Sequence, residues 1–181
     1  MSRINTPASI EASPAASQGM LEAVKKQLGL VPNLFRVIAN SPAALEGYLG
    51  LNGALAKGKL DAKTRERLAL TVAEINRCDY CLSAHTYLGK NVAKLADAEL
   101  DANRAGESSD PKAAAALRFA SSVARERGHI SAADLAAVKA AGYDDAEIIE
   151  IVEHVALNTL TNYINSVAAT DIDFPVVKSR G

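Results

Sequence analysis

Glu66-Arg67-Leu68-Ala69-Leu70-Thr71-Val72-Ala73-Glu74-Ile75-Asn76-Arg77-Cys78-Asp79-Tyr80-Cys81-Leu82-Ser83-Ala84-His85 is the stretch on which the reading turns. In its first half the apolar residues Leu68, Val72 and Ile75 recur at helical spacing, and Asp61 upstream is suited to cap that helix. Its second half reads as the start of another helix, Cys78 to Leu95, with Cys81, Ala84, Leu88, Val92 and Leu95 on one side. Successive helical residues rotate by about 100°, so Cys78, Cys81 and His85 at i, i+3 and i+7 fall on one face. Leu88 and Val92 share that face, which predicts that it points inward.

Helical spacing continues on both sides. Residues 1–15 are rich in Ser, Pro and Ala without a period, and read as a flexible N-terminal arm before one domain over 16–181. Helices are expected over Gly19–Leu28 and Leu34–Ala39. Another follows the Ser41-Pro42 cap, carries Leu45, Leu49, Asn52 and Leu55 on one stripe, and closes at Gly58. Residues 96–110 are polar, with Gly, Ser and Asp, and read as a loop. Asp110-Pro111 restarts a helix to about Arg127, Ser131 caps a short one ending near Gly142, and Asp144-x-x-Glu147 resembles a capping box. That box opens the longest helix, with Ile148, Ile151, Val152, Val155, Thr159, Tyr163 and Val167 in phase until Asp173-Phe174-Pro175. Gly58-Lys59-Leu60-Asp61-Ala62 faintly repeats in Gly128-His129-Ile130-Ser131-Ala132. This suggests a duplicated helical hairpin, although two generic turn-and-cap segments explain it more simply. The predicted fold is all-α, a single-domain helical bundle.

Composition narrows the function. Hydrophobic residues make up 49% but aromatics only 4%, which favours Ala-rich helices over sheets. A net charge of −1 offers no basic patch for nucleic acid or an anionic membrane. No run of about 18 apolar residues predicts a span, and Met1 to Met20 lacks the apolar core of a signal peptide. A cytoplasmic protein is expected, where two Cys in C-x-x-C spacing serve redox or metal chemistry more often than structure.

Peroxide reduction needs a thiolate and a proton for the departing alkoxide. A free thiol with a pKa near 8.5 is only a few per cent ionised at neutral pH, and burial makes this worse. The helix N-terminus and an imidazole can offset it, with a carboxylate orienting the ring. Glu66 suits that last role because Ala69, Leu70 and Ala73 share its face, whereas Glu74 lies toward the polar arc. The dipole, worth roughly 0.3–1 kcal/mol, favours Cys78 as nucleophile. Proximity to His85 favours Cys81, and positioned acid–base help is worth roughly 3–5 kcal/mol. The larger effect makes Cys81 the attacker and Cys78 the resolver.

Glu66, Cys78, Cys81 and His85 at these spacings resemble the alkylhydroperoxidase D core of the carboxymuconolactone decarboxylase superfamily. Pro32-Asn33-Leu34-Phe35 before Ser41-Pro42, and Asn158-Thr-Leu-Thr-Asn162-Tyr-Ile-Asn165 into Asp173-Phe-Pro175, resemble its peroxidase-related members. The resemblance covers nearly all of residues 19–176. It implies an all-α homo-oligomer, commonly a trimer or hexamer, and a hydroperoxide substrate. It also implies a peroxidatic Cys81, a resolving Cys78, a Glu66–His85 proton relay, and a thiol or lipoyl-type reductant, with no cofactor. Alkylhydroperoxidase D has His between the cysteines, where this chain has Tyr80. Broad apolar faces on Ala-rich helices independently predict a closed oligomer.

Several plainer readings compete. Cys78 and Cys81 as small core residues, or as metal ligands with His85, are outweighed by the four-residue spacing, since zinc sites usually draw on two segments and His129 and His154 are unsupported as ligands. A c-type haem is excluded by Leu82 after the second Cys. His154, Asn158 and Asn165 form a polar stripe read as solvent-exposed rather than lining a pocket or an interface. Tyr48, Tyr87 and Phe35 read as core packing before cavity walls. Decarboxylation of a muconolactone-like acid needs no Cys pair, and a non-catalytic redox sensor would turn over peroxide negligibly; both remain as alternatives.

Overall fold

The computed structural model describes residues 2–180. Among them the regular structure is all helical: α1 (Ala15–Leu28), α2 (Asn33–Ile38), α3 (Pro42–Leu55), α4 (Ala62–Ile75), α5 (Asp79–Asn91), α6 (Asp97–Arg104), α7 (Pro111–Arg125), α8 (Ala132–Ala140) and α9 (Asp145–Ala168). The caps read from the sequence form. Ser41, Asp61 and Asp110 accept backbone N–H groups at the starts of α3, α4 and α7, and Ser131 and Asp144 make full capping boxes on α8 and α9.

Helix α4 is the axis of the molecule, packed against α5, α6, α7 and α9. Residues Arg67 to Ala73 are all buried. Leu70 and Ala73 enter a core with Leu21, Leu34, Leu45, Cys78, Cys81 and Leu82 from α1–α3 and the α5 region. Leu68 and Val72 enter a second core with Leu117, Phe119, Ile148 and Ile151 from α7 and the first half of α9. Burying opposite sides of one helix fixes α4 in rotation, so Glu66 has a defined direction.

Four readings change. Residues 97–104 are helix rather than loop, because Leu100 enters the first core and α4 supplies polar partners: Arg67 Nε donates to Glu99 Oε1 at 2.9 Å and Thr71 Oγ1 to the Asn103 carbonyl at 2.7 Å. Helix α5 starts at Asp79, not Cys78, and ends at Asn91, which leaves Val92 67% exposed rather than inward. Gly58 lies beyond the end of α3. A Cβ there would meet the Glu150 carboxylate at 2.6 Å, so the residue serves a close approach between the α3–α4 turn and α9. On α9 the apolar phase drifts outward: Ile149, Val152, Leu160, Tyr163 and Val167 are exposed.

Residues 2–14 carry no helix and lie along the body. Arg3 N donates to the Ala168 carbonyl at 2.6 Å, Asn40 Nδ2 to the Asn5 carbonyl at 2.7 Å and Arg36 Nη1 to the Ala8 carbonyl at 3.1 Å. No helix among the described residues is long and apolar enough to cross a membrane.

Candidate active site

Cys78 is the N-cap of α5. Its sulfur accepts the Cys81 N–H at 3.3 Å, and its thiol donates to the Cys81 sulfur at 2.8 Å. Cys81 stands in the first helical turn, so both sulfurs share the partial positive charge of the N-terminus. The expected contest between dipole and imidazole therefore does not arise, and the direct thiol–thiol hydrogen bond separates the two. That bond lowers the Cys81 pKa to about 6 against the opposing effect of burial, with the His85 charge and the Asn165 amide (Nδ2 to Sγ 3.3 Å) adding to it. The same bond, reinforced by burial, pushes the Cys78 thiol well up. The cysteines are not disulfide-bonded.

His85, two turns along α5, donates from Nδ1 to Glu66 Oε2 at 2.9 Å. Burial disfavours its charged form, but the Glu66 charge and hydrogen bond, with Cys81 behind them, raise its pKa. Glu74 is engaged elsewhere: Arg104 Nε and Arg180 N both donate to it at 2.6 Å. The chain thus forms two hydrogen-bonded pairs, Cys78–Cys81 and His85–Glu66, with Cys81, His85 and Glu66 lining one cavity. Tyr80, between the cysteines, takes no part in this hydrogen bonding: its hydroxyl accepts the Leu34 N–H at 3.1 Å and its ring meets Phe174 edge-on at 5.9 Å. It joins α5 to α2 and the C-terminal segment, which is a structural duty.

A cavity of about 120 Å³ opens beside Cys81, lined among others by Tyr48, Glu66, His85, His154 and Asn158. The His154, Asn158 and Asn165 stripe is therefore buried, not solvent-exposed; each side is at most 5% accessible. Polarity misled here, because α9 packs against α3, α4 and α5 along this face. His154 is held neutral, its pKa depressed to about 4 by burial and the Arg65 charge, and its Nε2 has no hydrogen-bond partner. Tyr48 belongs to the wall, leaning on Phe35 with ring centroids 5.7 Å apart, while Tyr87 is 44% exposed. Asn165 was legible only as a stripe member; its spacing of seven from Asn158, on a helix with apolar neighbours, was the available signal.

Among known proteins, residues 42–122 match the carboxymuconolactone decarboxylase family model. A peroxidase-related protein of Ralstonia eutropha JMP134, described as an alkylhydroperoxidase AhpD core, superposes with a TM-score of 0.85 at 24% identity, covering 95% of this chain and 92% of that one. A peroxidase-related protein of Silicibacter sp. TM1040 follows with a TM-score of 0.80 at 23% identity, over 94% of both chains. The debrominase Bmp8, in a variant bound to 2,3,4-tribromopyrrole, shares the fold with a TM-score of 0.77 at 18% identity, covering 96% of this chain and 94% of that one. An uncharacterized protein of Haemophilus influenzae is 53% identical over 45 residues, which is 24% of this chain and 40% of that protein's length.

Proposed function

We propose that this chain, which matches the carboxymuconolactone decarboxylase family model over residues 42–122 and shares the fold of an alkylhydroperoxidase D core, reduces hydroperoxides at Cys81 through a Cys78–Cys81 disulfide. The observation that carries this reading is a thiol with its pKa lowered to about 6, at a cavity, in hydrogen-bonding contact with a second thiol 2.8 Å away.

The Cys81 thiolate attacks the terminal peroxide oxygen. An S–O bond forms, the O–O bond breaks, and the alkoxide takes a proton from the His85 imidazolium. Glu66 orients that ring and stabilises its charge. Cys78 then attacks the sulfenic sulfur, the disulfide forms and water leaves. A cavity of about 120 Å³, somewhat smaller than the ~150 Å³ that accepts benzene, favours hydrogen peroxide and compact organic hydroperoxides. Muconolactone decarboxylation would make no use of the paired thiols, and a redox sensor would form the disulfide without sustained turnover.

Thiol mass spectrometry after one equivalent of peroxide, with dimedone trapping, tests the assignment. Wild type yields the disulfide, Cys78→Ser yields a stable adduct on Cys81, and Cys81→Ser hardly reacts. An adduct on Cys78 at near wild-type rate reverses the roles.

Self-association belongs to the same proposal. Ile149, Val152, Leu160, Tyr163 and Val167 make one exposed apolar stripe along α9, suited to a second copy of the chain in a closed oligomer. A monomer mass by light scattering at micromolar concentration contradicts this.

A further inference from the structure

The two cysteines line different cavities. The cavity described above is lined by Cys81 and not by Cys78. A second, of about 260 Å³, is lined by Cys78 and not by Cys81, with Arg77, Tyr80, Asn165, Ser166 and Thr170 among its walls. Tyr80 stands in both walls and divides them.

The second cavity has features of a ligand site. Asn165 is 3% and Thr170 7% accessible, and Asn165 Oδ1 and Thr170 Oγ1 are buried without a hydrogen-bond partner. Such atoms are costly to bury unless a ligand or water meets them. Asn165 also spends its Nδ2 on the Cys81 sulfur, so one side chain of the second cavity reaches the other cysteine. Arg77 lies exposed at the rim and forms no ion pair among the described residues, while the neighbouring Asp79 is taken by Lys178 Nζ at 2.9 Å and Ser179 N at 2.9 Å. The rim is therefore cationic.

We infer that this second cavity is the docking site of the reductant, a small anionic thiol, and that its sulfur attacks Cys78 rather than Cys81. The inference rests on the disulfide of the proposed cycle. The incoming thiolate forms a bond to the Cys78 sulfur, the Cys78–Cys81 bond breaks, and Cys81 leaves with the electron pair as thiolate. A second equivalent of thiol then attacks the external sulfur of the mixed disulfide and releases Cys78 as a thiol, so two thiols are oxidised to one disulfide per cycle. Leaving-group chemistry agrees with the geometry, since the more acidic thiol departs faster and Cys81 is that thiol. Substrate and reductant thus enter by separate mouths, and neither has to wait for the other to leave.

The test uses the oxidised full-length chain and 2-mercaptoethanesulfonate, an anionic monothiol supplied substoichiometrically so that none is left to cleave the mixed disulfide, and quenched within milliseconds so that Cys81 is blocked before it expels the sulfonate thiol. After quenching with N-ethylmaleimide, peptide mapping is expected to find the sulfonate on Cys78 and maleimide on Cys81; the reverse pattern overturns the inference. Ser166→Trp, at the exposed rim, is expected to lower the ratio of the reduction rate to the peroxide oxidation rate by about tenfold or more. An unchanged ratio overturns the site. Arg77→Gln is expected to slow the sulfonate thiol severalfold and neutral 2-mercaptoethanol little; equal effects on both remove the preference for an anion. If peroxide fails to make the disulfide, the peroxidase reading falls, while diamide still supplies the oxidised chain on which the docking site is tested.

Discussion

Neighbouring residues of α4, about 100° apart around the helix, serve two different regions. Glu66 faces the thiols and accepts one hydrogen bond, from His85, beside a cavity. Arg67 faces α6 and meets Glu99, whose carboxylate accepts five hydrogen bonds, from Arg67, Asn103, Ser108 and both the backbone and hydroxyl of Ser109. Burial works against the Glu99 charge, but the Ser108 and Ser109 hydrogen bonds outweigh it and lower its pKa to about 2. A carboxylate with every lone pair engaged is a structural anchor that never changes state at neutral pH. Glu66, by contrast, has a single partner and borders open space.

The largest effect that sharpens this contrast is expected on the thiol side. Cys81→Ser lowers peroxide consumption by about 10³-fold or more while leaving the Tm near wild type, because the lost nucleophile has no substitute. A residual rate within tenfold of wild type places the chemistry elsewhere. On the other side, Glu99→Ala leaves Arg67 only the half-exposed Asp110 at 3.9 Å and is expected to cost about 3 kcal/mol in urea unfolding, with peroxide turnover per folded molecule preserved. Equal loss of turnover and stability would merge the two regions into one. Glu66→Gln is the converse: unfolding free energy within about 1 kcal/mol of wild type, and single-turnover rates about 10²-fold slower. An unchanged rate across pH 5 to 9 takes Glu66 out of the mechanism.

Acidity separates the regions more gently. With the Cys81 pKa lowered to about 6, the rate constant with peroxide is expected to rise through pH 6 as the thiolate forms, and to fall again at higher pH once the His85 imidazolium, its pKa raised by Glu66, gives up its proton. Glu99, lowered from an ordinary 4.5 to about 2, contributes stability that is full above pH 4.5 and is lost as pH falls toward 2, on the order of 3 kcal/mol in all. Around pH 5, circular dichroism is expected to report an intact Arg67–Glu99 side while the first-step rate has already fallen by roughly tenfold.

What the sequence made legible follows from locality. Caps such as Asp61, Ser131 and Asp144 act within three residues, and the Glu66, Cys78, Cys81 and His85 cluster depends on two adjacent helices and a short turn. Helix α6 was hidden because only Leu100 advertises an apolar face, and its support comes from Arg67 and Thr71, some thirty residues upstream. Asn165 was hidden for a like reason: its partner, Cys81, lies 84 residues away, and nothing local distinguishes an amide aimed at a sulfur from one aimed at water. The capping role of Cys78 was missed because the residue was counted inside the helix it terminates.

In the proposed cycle, the 2.8 Å hydrogen bond between the sulfurs would also impose an order of events. While Cys81 is an anion it holds the proton of Cys78 in place, so the second sulfur is disarmed, and an electrophile arriving early finds a single competent target. Conversion of Cys81 to a neutral sulfenic acid removes the anion that kept that proton. Cys78 still accepts the Cys81 N–H and still sits at the positive end of α5, both of which favour its thiolate once the competing demand is gone. In the proposed cycle the two atoms would thereby form an interlock, in which the product of the first step releases the second.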